Sequence, residues 1–179
     1  MEYCAASSVG TLDIRVVSPA SDTPSLRRSL YVRTVVYENI LLPTDGSDGT
    51  AGVAEHAVHV ARLAGATLHI LHVVDTSVVP LDAHSRGIYD EMEATGRESV
   101  EEIRDRTLDV GIDSVTAIRQ GTPFREILDY AEENEVDLVV IGTHGRTGLQ
   151  RTVLGSVAER VVRLSDVPVL TVRTAPRER

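Results

Sequence analysis

An open, five-stranded parallel α/β sheet in the order 3-2-1-4-5, with helices on both faces, is the fold the sequence predicts. Three observations predict it. From Tyr37 onward, short apolar runs alternate with amphipathic stretches, the signature of repeated strand–helix units around a parallel sheet. Two of the runs, Asn39 to Pro43 and Asp137 to Ile141, are almost continuously apolar and suit strands buried on both faces. Two others, Ser114 to Arg119 and Val169 to Arg173, alternate apolar with polar and suit the periphery. Central first and fourth strands, peripheral third and fifth, and right-handed crossovers then give the order.

Each element has a local reason. Asn39 to Pro43 is closed by Pro43-Thr44-Asp45-Gly46-Ser47, a dense turn signal. A helix follows to about Leu63, with Val53, Ala57, Val60, Ala61 and Ala64 on one face and Gly65 as its stop. Thr67 to Val74 is the second strand, and Asp75 to Arg86 an irregular connection holding Pro80. Tyr89 to Val110 is a long helix with Glu and Arg at i,i+3 and i,i+4 spacing, ended by Gly111. Its acidic stretch from Glu91 to Asp105 reads as a solvated face. After the third strand, Thr122 can cap a helix with Pro123 at its first position, and Phe124, Ile127, Leu128 and Ala131 supply its buried face. Val136 to Ile141 is the fourth strand, Leu154 to Ser165 the last helix, and Val169 to Arg173 the last strand.

Residues 1–36 differ from the rest. They include Ser18-Pro19-Ala20-Ser21-Asp22-Thr23-Pro24-Ser25, a polar, proline-bearing run typical of a tail or linker. Four arginines against three carboxylates give them a net charge of +1, leaving −10 for the remainder. The expectation is a disordered extension, a domain over residues 37–175 and a tail at 176–179. A translation start at Val36 is the sharper form of that expectation, and an ordered arm the alternative.

Composition excludes several classes. The chain has 179 residues and 42% hydrophobic content, about one domain's worth, with no run near membrane-spanning length. Met1 to Ser18 lacks the basic start and apolar core of a secretory signal. The lone Cys4 forms no internal disulfide and fits a reducing cytoplasm. Net charge is −9 and all 18 basic residues are arginine. That balance argues against nucleic acid as the main partner, since phosphate backbones require a basic face. An acidic, lysine-free chain suits a salt-rich cytoplasm, although GC-rich coding also removes lysine; the expectation is a halophilic source.

The chemistry centres on Gly142 to Ser156, GTHGRTGLQRTVLGS, whose glycines follow the spacing G-x2-G-x9-G-[ST] at Gly142, Gly145 and Gly155–Ser156. The run occupies a strand-to-helix crossing, where main-chain N–H groups and the positive end of a helix hold anions. In the predicted order the winding reverses between the first and fourth strands, and ligands of open α/β sheets bind at that reversal. The loop after the first strand carries Asp45, so two lines of inference meet at one crevice. Gly142 and Gly145 would remove Cβ atoms where main chain approaches phosphate, and Gly155 and Ser156 would donate to terminal phosphate oxygens. Asp45 repels phosphate and suits ribose hydroxyls or an adenine amino group. Val73 offers main-chain bonds and an apolar wall to a base. The plain alternative is an ordinary βα loop that needs flexibility. A Walker-type loop requires lysine and is excluded, and the G-x-G-x-x-G fingerprint is absent.

The histidines are weaker signals. His144 reads as a solvated loop tip, and Arg146 is balanced between a phosphate contact and solvent. His56 and His59 read as surface residues rather than metal ligands. His69 and His72 are three apart on a strand and face opposite sides, so they cannot share a metal.

From about Tyr37 to Arg173 the chain resembles the universal stress protein (UspA-like) family. The resemblance is carried by ILLPTDGS (Ile40 to Ser47), LHVVD (Leu71 to Asp75), GTHGRTG (Gly142 to Gly148), LGSVAERV (Leu154 to Val161) and VPVLTVR (Val167 to Arg173). With its glycine spacing complete, it looks like the ATP-binding branch of that family. The resemblance implies an adenine nucleotide alpha-hydrolase-like fold and a site for ATP, with Mg2+ or Mn2+ on the phosphates. It further implies adenosine contacts from Pro43, Thr44, Asp45 and Val73, with Ile141 and Gly142 near ribose and base. Gly145, Gly155, Ser156 and Val157, joined by Arg146, would hold the phosphates. Homodimers through the strand Val169 to Arg173 are implied as well, and an exposed alternating edge strand itself calls for a partner or a cover. The function expected is a nucleotide-responsive stress module acting on an unknown protein partner. The alternatives are a slow ATPase or phosphotransferase, with no evident base or carboxylate pair for it, and a nucleotide-free interaction module.

Overall fold

A computed structural model of the chain describes residues 37–47, 49–77, 86–144 and 154–174. The expectations for residues 1–36 and 176–179, and for Gly145 and Arg146, lie outside those residues. Among the described residues nine elements follow in strict alternation: β1 (Asn39–Thr44), α1 (Gly49–Ala64), β2 (Thr67–Asp75), α2 (Arg86–Asp109), β3 (Ser114–Gly121), α3 (Pro123–Glu133), β4 (Leu138–Gly142), α4 (Ser156–Leu164) and β5 (Val169–Val172). All five strands are parallel, in the order β3-β2-β1-β4-β5.

Strand periodicity divides the core into two layers. Ile40, Leu42, Leu68, Ile70, Leu138 and Val140 point to one face and pack on Val53, Ala54, Ala57 and Ala61 of α1 and on Val100 and Ile103 of α2. Leu41, Leu71, Val139 and Ile141 point to the other and pack on α3 and α4 through Ile127, Ala131, Ala158 and Val161. The central strands are therefore apolar on both faces, while Val115 on the β3 edge is 44% exposed. Along α2, Arg97–Glu93, Arg104–Glu101 and Arg106–Glu102 form ion pairs on the solvated face.

Two local expectations need correction. Thr122 is the N-cap of α3 and Pro123 opens the helix, but the Thr122 side chain makes no capping bond. Its carbonyl alone serves the helix, accepting from the amides of Arg125 and Glu126. The fourth strand begins at Leu138 rather than Val136, because the Val136 amide is still bonded to the Ala131 carbonyl of α3.

His69 and His72 face opposite layers, as the strand period requires. His69 is buried against Tyr130 of α3, its Nδ1 3.0 Å from the phenol oxygen and its Nε2 3.4 Å from Asn39 Oδ1. An amide oxygen only accepts, so Nε2 carries the hydrogen and the phenol donates to Nδ1. Burial holds the imidazole below its ordinary value of 6.5. As pH falls, the unfolded chain therefore takes this proton first, and stability present above pH 6.5 is lost toward the folded-state value. Melting curves across that window should show a steeper acid loss for the native chain than for His69→Gln. Equal slopes would remove His69 as the cause.

Candidate functional site

The main chain fans apart where β1 and β4 turn to helices on opposite faces, and this split opens a crevice of about 330 Å³ at the carboxyl ends of the strands. Strand β1 brings Pro43, Thr44 and Asp45 to its wall, and β2 brings Val73 and Asp75. Strand β4 contributes Ile141 and Gly142, and the start of α4 contributes Gly155, Ser156 and Val157. Every described residue singled out from the sequence for this crevice thus lines it.

Asp45 is held by the turn it begins. Its Oδ1 accepts from the Ser47 amide at 3.0 Å, the Ser47 hydroxyl at 2.7 Å and the Thr50 hydroxyl at 3.0 Å. Those bonds fix the carboxylate at the start of α1 and place its charge on one rim. Asp75 adds a second carboxylate there, tied by its Oδ1 to the amide and hydroxyl of Ser77. The Thr44 hydroxyl is already engaged, accepting from the Gly46 amide at 3.1 Å and lying 3.1 Å from Ser99 Oγ of α2.

The opposite end is electropositive in a different way. Gly155 is the N-cap of α4 with no side-chain cap. Among the described residues, no acceptor meets the amides of Ser156, Val157 and Ala158, so the helix presents three N–H donors and the positive end of its dipole. The Gly155 amide is not one of them. It donates to the Thr143 carbonyl at 2.7 Å.

The glycines also have reasons the sequence did not disclose. A Cβ on Gly142 would lie 2.8 Å from Thr174 Cγ2 and 3.1 Å from Val53 Cγ2, so its bareness admits these two protein side chains. A Cβ on Gly155 would stand 3.3 Å from the Thr143 carbonyl, where two stretches of main chain cross.

His144 departs from the expected solvated tip. It is half-buried on the crevice wall, with Nδ1 3.1 Å from Thr143 Oγ1. Sequence reasoning did not place Thr50, His72, Met92 or Thr174 on the wall, and all four line it. Met92 lies within the charged pattern of α2 and Thr174 beyond the last strand, so neither carries a periodic signal. His56 and His59 are exposed, as expected.

Fold and crevice together define a doubly wound α/β protein with a helix N-terminus lacking a side-chain cap at its topological switch point. The chain belongs to the universal stress protein family: the sequence model of that family matches residues 36–173. It is 36% identical over 146 residues to Universal stress protein MJ0531 of Methanocaldococcus jannaschii, covering 80% of this chain and 86% of the relative. Among solved structures it resembles the MJ0577 protein of the same organism, at 31% identity and a TM-score of 0.73, over 79% of this chain and 99% of that one. A universal stress protein solved in complex with cAMP matches at 27% identity and a TM-score of 0.60, over 79% of this chain and all of the other. The fold these proteins share is the adenine nucleotide alpha-hydrolase-like arrangement.

Proposed function

We propose that this chain binds an adenine nucleotide, ATP foremost, and works as a nucleotide-responsive regulatory module in the cytoplasm through a protein partner. One observation carries the reading: the crevice has carboxylates on one rim and, at the other end, three helix amides that no acceptor meets among the described residues. A ligand that is a hydrogen-bond donor at one end and a polyanion at the other matches that polarity. Adenosine would lie along Pro43, Asp45, Val73 and Ile141, and the phosphates against Ser156 and Val157, with Gly145 and Arg146 as the further phosphate contacts that the sequence suggests. The solved cAMP complex of a related protein supports the choice of base. Among the described residues no group of three or more His, Cys, Asp or Glu side chains converges. Mg2+ or Mn2+ would travel on the phosphates, as hard cations commonly do.

The homodimer belongs to the same proposal. Strand β5 pairs with β4 on one side only, and Leu170 is 38% exposed beside a helix whose Val162 and Leu164 are 43% and 50% exposed. A second copy pairing along β5 would satisfy that edge and cover those side chains.

Isothermal titration with ATP, ADP and AMP tests the reading. Charge-assisted bonds contribute about 1.5–3 kcal/mol each, so three amides support roughly micromolar ATP binding. Affinity should fall as phosphates are removed, and phosphate release in the same sample should stay at background. The sample should sediment as a dimer. No heat with any of the three nucleotides, and none released from the denatured protein, would overturn it.

A further inference from the structure

We propose that Thr174 is a positioning residue for the crevice, a latch that seats the chain end following β5 onto the main chain leading into the glycine loop. For its ligand the inference rests on the nucleotide reading above. Four contacts converge on this one side chain and its amide. The Thr174 hydroxyl donates to the His144 carbonyl at 3.3 Å, and the Thr174 amide donates to Thr143 Oγ1 at 3.4 Å. Its methyl occupies the notch left by Gly142, where a Cβ would come within 2.8 Å of Cγ2. Its Cβ occupies a second notch over Gly49 at the start of α1, where an added Cβ would come within 3.1 Å.

The position of this latch gives it consequence. Two residues before it, the Val172 carbonyl accepts from the Thr143 amide at 2.8 Å, so β5 and its extension grip Thr143 by its amide and hydroxyl and His144 by its carbonyl. The same Thr143 offers its carbonyl to the Gly155 amide and so sets where α4 begins. Thr174 therefore acts on the three α4 amides through Thr143, and it does so from the edge strand proposed to pair in the dimer. The two glycines flanking the crevice, Gly49 and Gly142, are the socket that lets a threonine reach this far in.

The test uses the full chain with Thr174→Gly and Thr174→Ser, read by hydrogen exchange without nucleotide and by ATP titration. In Thr174→Gly the Thr143 amide should exchange about tenfold faster while the Ile70 amide in the core keeps its rate, and the ATP Kd should rise about five- to tenfold. Thr174→Ser keeps the bond to His144 and should recover most of both. Unchanged exchange at Thr143 overturns the latch, whether or not the Kd moves, because a changed Kd alone would make Thr174 a direct ligand contact. A wild-type chain that binds no ATP overturns the nucleotide reading, and exchange at Thr143 still decides the latch.

Discussion

Ser156→Asp is expected to leave the fold at least as stable and to reduce ATP affinity by roughly a hundredfold or more. The two effects have opposite electrostatic signs at the same place. Ser156 is exposed at the first position of α4, where a carboxylate interacts favourably with the helix dipole by about 0.3–1 kcal/mol. Repulsion from Glu159 one turn on takes back about 0.2–0.5 kcal/mol, so the melting temperature should hold or rise slightly. For a bound triphosphate the same carboxylate removes a hydroxyl donor and sets like charges together. At about 4 Å and an effective dielectric of about 20, that repulsion is roughly 4 kcal/mol. Adenosine, which has no phosphate, should bind wild type and variant alike. An unchanged Kd for ATP would place the phosphates elsewhere. An equal loss for adenosine would mean that the crevice itself had been deformed.

Most of the fold was legible because burial leaves its record in the strands. Leu41, Leu42, Val139 and Val140 are apolar in succession, which only a strand covered on both faces requires, and they form the centre of the sheet. The alternation of Val115, Ala117 and Arg119 marked an edge, and there Arg119 pairs with Glu133 and lies 4.8 Å over the Tyr130 ring. The crevice was legible for a similar reason: it lies where the chain leaves β1 and β4 in opposite directions, which follows from strand order alone. What escaped were residues whose role depends on an approach between distant segments. Thr174 reads as a polar residue after a strand, and nothing local says that Gly49 and Gly142 leave it a socket. Gly142 was read as a position that excludes a side chain, and Gly155 only as a donor at the helix entry. The atoms that exclude one are Thr174, Val53 and the Thr143 carbonyl, which no spacing encodes. Thr122 holds the N-cap position as its residue type suggests, but its side chain makes no capping bond.

Gly96 is the sharpest case of such hidden necessity, and Gly96→Ala is expected to destabilise the protein by about 2–4 kcal/mol. By propensity the change should help, since glycine inside a helix costs about 1 kcal/mol relative to alanine. Here a Cβ would lie 2.2 Å from Cδ2 of His72 and 2.7 Å from its Cγ and Nε2. The ring cannot swing aside freely. His72 is 5% exposed, and its Nδ1 donates to the Thr44 carbonyl at 3.0 Å, tying the end of β2 to the end of β1. Either α2 lifts from the sheet or that buried bond breaks, and each costs more than the helix gains. The melting temperature should fall by roughly 5–15 °C, with nucleotide affinity falling too because His72 and Thr44 both line the crevice. The decisive measurement is the same substitution made in a His72→Ala background. With the ring gone, the three nearest contacts of the new Cβ are removed and the ordinary propensity returns, so Gly96→Ala should become neutral or stabilising there. A cost that persisted in the double variant would mean that the glycine answers to the path of α2, and the contact with His72 would have no part in it.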